Sequence, residues 1–272
     1  MLKIKQQLKE FYDLQAEKFS KTRKRPWPEF FYIAEEVEKI LSKQDRVKIL
    51  ELGCGDGRLY RFLEEKFPGK LDYVWVDLSE NLIKIAKKES WELRTEIWES
   101  FLFLNTDMLS YLENEESLKF DLVVWVASFQ HIPTNWERLL ILKHIYRVLK
   151  YWWKIVLFNW SFSKWFFKKY NFQILKSFLL FLLSLWMKPM NDIYVPWKDD
   201  WKTYYRYYHI FFLFELKKLL KQAWFVIIDA GYINKNGEKT VSRINSRNSY
   251  IIWVKSVLSL RSEEVKEVRR DL

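Results

Sequence analysis

An α/β fold, built on an open and mostly parallel sheet with helices on both faces, is predicted by three features of the 272-residue sequence. Short apolar runs alternate with segments of helical spacing, each strand and helix together taking about 25 to 35 residues. The first run, residues 47–57 (VKILELGCGDG), ends in an acid and then three glycines at alternate positions. Acidic residues also close the next two runs, at Asp77 and Asp107. In such sheets ligands sit beyond the carboxyl ends of the strands, which is where Gly53, Asp77, Asp107 and Ser128 fall.

Taken in order, residues 1–20 read as a helix entering the domain, and residues 21–28 (KTRKRPWP) as a basic segment whose two prolines break it. Helical spacing resumes over residues 30–42. The unbroken run from Val47 fits a buried parallel strand, and residues 58–66 (RLYRFLEEK) a helix after the glycine loop. Residues 71–76 (LDYVWV) form a second strand, and Ser79 is placed to cap a helix through Lys88. Residues 101–105 (FLFLN), 120–126 (FDLVVWV) and 154–158 (KIVLF) supply the third to fifth strands, with an amphipathic helix over residues 136–149. An insertion follows the fifth strand at residues 161–210, where a cover over the sheet's open end and a substrate-recognition element are expected. A helix over 214–223, a strand over 225–229 and a last, antiparallel strand over 249–254 complete a seven-stranded sheet. The expected organisation is a helical cap (1–44), a core (45–160), the insertion (161–210), the rest of the core sheet (211–256) and a charged tail (257–272).

The formal charge of +11 suits an anionic partner such as RNA. The single cysteine, Cys54, excludes a disulfide framework, and with only three histidines no metal centre is expected. No signal peptide is visible at the charged start, and the most apolar run, residues 178–187 (FLLFLLSLWM), falls short of the roughly 20 residues a membrane span needs. It reads as a buried or interfacial helix, and the chain as cytoplasmic.

The candidate site residues follow from chemistry. Gly53, Gly55 and Gly57 can adopt backbone angles closed to other residues and leave no side chain between loop and ligand. Asp77, about 20 residues further on, is positioned to accept from a ribose hydroxyl pair. Asp107 with Met108 could meet an adenine, the acid accepting from its amino group and the thioether lying against the ring.

With ELGCGDG, the acid in VDLSENLIKIAKK, Asp107-Met108 and HIYRVLK, the sequence resembles the class I S-adenosylmethionine-dependent methyltransferases, over roughly residues 45–160. That resemblance implies a Rossmann-like fold and S-adenosylmethionine as cofactor. It assigns cofactor contacts to Gly53, Gly55, Asp77, Leu78, Asp107, Met108 and Ala127, with Glu51 approaching the cofactor's amino end. Outside this core, FSKTRKRPWP, DIYVPWK and RYYHIF look like the tRNA methyltransferases that esterify carboxymethyluridine at the wobble position, including relatives fused to an AlkB-type domain. This narrower likeness implies that Arg23 and Pro26-Trp27 close over the cofactor and that Arg206, Tyr208 and His209 line the acceptor side. It also implies tRNA as partner and leaves room for a small activating subunit. Two alternatives are a methyltransferase of a small apolar acceptor, quinone or lipid in type, admitted by residues 178–187, and a non-catalytic RNA-binding or partner-activating relative.

One departure from the family pattern is systematic. Trp75, Trp125, Trp152, Trp153 and Trp224 stand where similar proteins have glycine. The chain has six glycines and fifteen tryptophans, against about 19 glycines at ordinary usage. These tryptophans are expected to be glycines in the native protein, encoded by UGA under a code that reads it as glycine. Trp75 is expected to point at the cofactor end, because strand alternation puts it on the side of Asp77.

Overall fold

The structure, a computed structural model, describes residues 2–23, 25–91, 101–185, 189–199 and 201–255. The charged tail expected at 257–272 lies outside the described residues.

Strands β1 (Val47–Leu52), β2 (Leu71–Asp77), β3 (Phe101–Asn105), β4 (Phe120–Val126) and β5 (Leu149–Trp160) pair in parallel in the order β3-β2-β1-β4-β5. The last long strand, β10 (Ser246–Val254), runs antiparallel between β5 and β8 (Val226–Asn234). The sheet has eight strands rather than the expected seven, because a two-residue edge strand, β9 (Lys239–Thr240), pairs with β8. Such a short segment carries no periodicity to read in advance.

Side-chain alternation divides the core between the two faces. Leu50, Leu52, Val74, Val76, Val123 and Trp125 pack with helices α7 (Asn135–Val148) and α9 (Leu213–Gln222). Ile49, Tyr73, Trp75, Leu122 and Val124 pack with α3 (Glu29–Leu41), α4 (Arg58–Lys66) and α5 (Glu80–Trp91). The starting helix is two: α1 (Leu2–Leu14) and α2 (Ala16–Lys21), broken at Gln15. Helix α6 (Met108–Asn114) begins directly after β3 because Asp107 caps it, accepting from the amides of Leu109 and Ser110.

The insertion contains helix α8 (Lys164–Leu183) and a separate hairpin of β6 (Asp192–Asp199) and β7 (Lys202–His209). The motif strands DIYVPWK and RYYH therefore pair with each other, Val195 opposite Arg206 and Trp197 opposite Tyr204. Phe178, Leu179, Leu180, Leu182 and Leu183 of α8 are exposed, which contradicts the buried reading of that run and leaves the interfacial one; Trp186 and Met187 lie outside the described residues.

The five singled-out tryptophans divide into two kinds. Trp152 and Trp224 hold φ of +67° and +66°, the left-handed region that a side chain with a Cβ resists, and their rings are about half in solvent. Trp75 and Trp125 are fully buried, with indole N–H groups that have no hydrogen-bond partner among the described residues. Trp153 packs against both core clusters. The Trp75 ring does not reach the strand tips: it stacks on Phe103 at 4.1 Å and meets Tyr60, Tyr73 and Phe101 inside the core.

Candidate active site

A cavity opens at the carboxyl ends of β1, β2, β3 and β4. Glu51, Gly53, Gly55, Asp77, Leu78, Asp107, Met108 and Ala127 all line it. Gly53 has φ +69°, and a Cβ there would stand 2.4 Å from the Ser128 side chain, whose hydroxyl donates to the Leu52 carbonyl. The loop is tied to its neighbour strand by the Gly53 and Cys54 amides, which both donate to the Val76 carbonyl. Gly55, at φ +58°, has only a Phe19 ring carbon near where a side chain would project, so the main chain there is bare toward the cavity.

Asp77 accepts from the amides of Gly55 at 2.8 Å and Ser79 at 2.9 Å, which fixes its carboxylate and leaves lone pairs for a ligand. Burial pushes its pKa up to about 6, against those two amides. Glu51 is buried beneath the loop and accepts from the Tyr73 hydroxyl at 2.8 Å. Burial raises its pKa to about 8 despite Tyr73 and the Arg58 charge, so the group holds its proton at neutral pH. Asp107 uses one oxygen to cap α6 and gives the other to Lys5 at 2.9 Å; Lys5 also pairs with Glu137.

Helices α1 and α2 form the opposite wall. Lys5, Leu8, Lys9 and Tyr12 line the cavity from one face of α1, and Phe19 does so from α2. Trp27 also lines it, with the Arg58 guanidinium 4.7 Å over its ring. Arg23 does not: it stacks on Phe19 at 3.7 Å and donates to the Phe19 carbonyl, bracing the wall from behind.

The acceptor candidates separate by strand alternation. Tyr12 and His131 line the cavity and bond to each other at 3.0 Å. The second ring nitrogen of His131 lies 2.8 Å from the Tyr207 carbonyl, which only accepts, so Nδ1 carries the proton and Nε2 accepts from Tyr12. Burial drives the His131 pKa down to about 4 and keeps the ring neutral. Behind this pair, Tyr208 packs edge-on to His131 at 4.6 Å. Arg206 is 4% exposed, 5.1 Å from the Phe11 and Trp197 ring centres and 5.3 Å from that of Tyr208. Its Nε has no partner, and no carboxylate pairs with it among the described residues. His209 turns the other way and sits between Asp192 at 2.5 Å and Glu215 at 2.8 Å, tying the hairpin to α9. It does not join the cavity.

Lys5, Tyr12, Phe19 and His131 were not singled out by the sequence. The 5-8-9-12 spacing on α1 signals one helix face, but nothing local says what that face covers. None of the described residues 178–185 lines the cavity, so they do not form the entry expected for a small apolar acceptor.

Residues 50–151 match the model of a methyltransferase domain. The fold is shared with solved structures. A SAM-dependent methyltransferase from Methanosarcina mazei is 22% identical with TM-score 0.60, covering 78% of this chain and 94% of that one. A putative methyltransferase from Haloferax volcanii, solved with the Trm112 methyltransferase activator, is 12% identical with TM-score 0.56, covering 91% and 97%. The 1,6-didemethyltoxoflavin-N1-methyltransferase of Burkholderia thailandensis, with bound S-adenosylhomocysteine, is 12% identical with TM-score 0.56, covering 92% and 88%. No curated protein of related sequence was found. Residues 50–151 are thus a methyltransferase domain, and the bare main chain at Gly53 and Gly55 and the fixed Asp77 carboxylate fit S-adenosylmethionine.

Proposed function

We propose that this S-adenosylmethionine-dependent methyltransferase esterifies a carboxylate, and that the carboxylate is a carboxymethyl group on a modified wobble uridine of tRNA. The observation that carries the reading is Arg206, a buried cation without a carboxylate partner among the described residues, one side chain behind the cavity wall formed by Tyr12 and His131. A positive charge so placed draws an anionic acceptor to that wall. Because Tyr12 and His131 stand in front, the attraction does not become a direct ion pair that occupies the lone pairs needed for attack.

The rest of the site is consistent with that chemistry. Bound S-adenosylmethionine supplies a methyl group activated by its sulfonium. A carboxylate is already a nucleophile, so no general base is required, and neutral His131 is suited to holding Tyr12 in position rather than to taking a proton. Asp77 would hold the ribose, and Asp107 with Met108 the adenine. Glu51 would take the amino end, giving up its proton as the ammonium arrives. Phe19, Trp27 and α1 exclude water, which favours transfer to the acceptor.

The tRNA assignment is supported by the +11 charge and by the pairing of the two motif strands in one hairpin, whose Tyr207 and Tyr208 touch His131. A small activating subunit is a proposed partner, and the cytoplasm the proposed location. Incubating the protein with tRNA and S-adenosylmethionine, then weighing the wobble nucleosides, tests the reading. A gain of one methylene on a carboxymethyl-type uridine is expected. No gain, with cofactor bound, refutes the tRNA assignment and leaves the methyltransferase standing.

A further inference from the structure

Helix α8 is attached to the fold along one face only, which Ile174 and the Ser177 hydroxyl, donating to the Asp192 carbonyl, continue beyond its midpoint. Phe166 and Tyr170 pack with Ile193, Val195, Tyr208 and Ile210 of the hairpin region, and the helix is kinked at Tyr170. Beyond the kink the opposite face is apolar and faces water: Phe172 is 70% exposed, Leu175 57%, Leu179 49% and Leu183 80%. These recur at three- and four-residue steps, which makes a stripe rather than scattered single residues.

The charge along this segment has one sign. No Asp or Glu occurs between Glu137 and Asp192, and α8 itself carries Lys164, Lys168, Lys169 and Lys176. Among the described residues no helix is long and apolar enough to cross a membrane. We propose that α8 docks the protein on the surface of an anionic lipid bilayer, lying along the headgroup plane with its leucine and phenylalanine stripe in the acyl boundary and its lysines on the lipid phosphates.

Charge and apolarity together select this occupant. A second copy of the helix would cover the leucines but set lysine against lysine. A nucleic acid would neutralise the lysines and leave Phe172, Leu179 and Leu183 in water. An anionic bilayer satisfies both, since apolar burial and attraction of basic residues to acidic lipids reinforce each other. Because Tyr170 stacks on Trp160, which in turn packs on Tyr208, docking would bring the hairpin side of the cavity toward the lipid surface. The proposal does not depend on the identity of the acceptor.

Co-sedimentation of the full chain with vesicles of phosphatidylcholine, alone or mixed with phosphatidylglycerol, tests it. Partitioning to the mixed vesicles is expected to exceed that to phosphatidylcholine by at least about tenfold, and to fall when salt is raised from about 0.1 M to about 0.5 M. The double variant Phe172→Glu/Leu179→Glu alters two exposed side chains, and its folding is checked by circular dichroism and cofactor binding. It is expected to lose at least about tenfold in partitioning. Partitioning equal on the two vesicle types, a double variant that sediments like the parent, or a concentration-dependent dimer that the double variant dissolves would each overturn the proposal.

Discussion

Replacing Trp152 and Trp224 together by glycine is expected to stabilise the protein. Both residues sit near φ +67°, where an L-residue with a Cβ is disfavoured by roughly 1–2 kcal/mol. Relief at two positions is worth about 2–4 kcal/mol, and the greater freedom of glycine in the unfolded chain returns roughly 0.5–1 kcal/mol at each. Trp152 is 58% and Trp224 45% exposed, so part of the relief is offset by the burial of each ring that is given up, including the Tyr146 edge and the Lys143 cation over Trp224. The net gain for the double variant is about 1 kcal/mol, which for a chain of this size raises Tm by roughly 2–4 °C. Urea unfolding followed by far-ultraviolet circular dichroism measures it without relying on tryptophan emission. A double variant less stable than the parent refutes the strain reasoning. The same reasoning predicts UGA codons at positions 152 and 224 in the gene, and UGG there contradicts the glycine assignment.

Three further outcomes are expected. Gly53→Ala places a Cβ 2.4 Å from the Ser128 side chain at a positive φ, so stability should fall by about 2–4 kcal/mol in urea unfolding and cofactor binding should vanish in calorimetry. Glu51 has a folded-state pKa of about 8 against 4.5 unfolded; its proton stabilises fully below about pH 4.5, and that contribution is lost as pH rises through about 8. The stability of Glu51→Gln relative to the parent should therefore grow across that window, and a pH-independent difference would contradict a protonated Glu51. Arg206→Met should lower kcat/KM for tRNA at least about tenfold while leaving cofactor affinity unchanged, since Arg206 does not line the cofactor cavity. Unchanged turnover would remove Arg206 from acceptor orientation.

The strand-end wall of the cavity was legible because its parts are local. A glycine loop after a buried run, and an acid at each of the next two strand ends, need only the parallel register β1-β2-β3 to converge. The acceptor wall depends on contacts across more than a hundred residues, such as Tyr12 with His131, which no short-range pattern encodes. RYYH was visible as a motif, yet period-two alternation, not the motif, decides that Arg206 and Tyr208 face the wall while His209 turns to Asp192 and Glu215. For the tryptophans, the comparison with glycine pointed to 152 and 224, where the backbone is left-handed, whereas Trp75 kept the expected side of its strand but stacked on Phe103 short of the cavity.

Mild alkali applied to tRNA labelled by this protein from methyl-labelled S-adenosylmethionine tests the proposed carboxylate chemistry most directly. A methyl ester hydrolyses under those conditions, so the label should leave the wobble nucleoside as volatile methanol. Label that stays on the nucleoside would mean a methyl group on nitrogen, carbon or ribose oxygen, and would contradict a carboxylate acceptor.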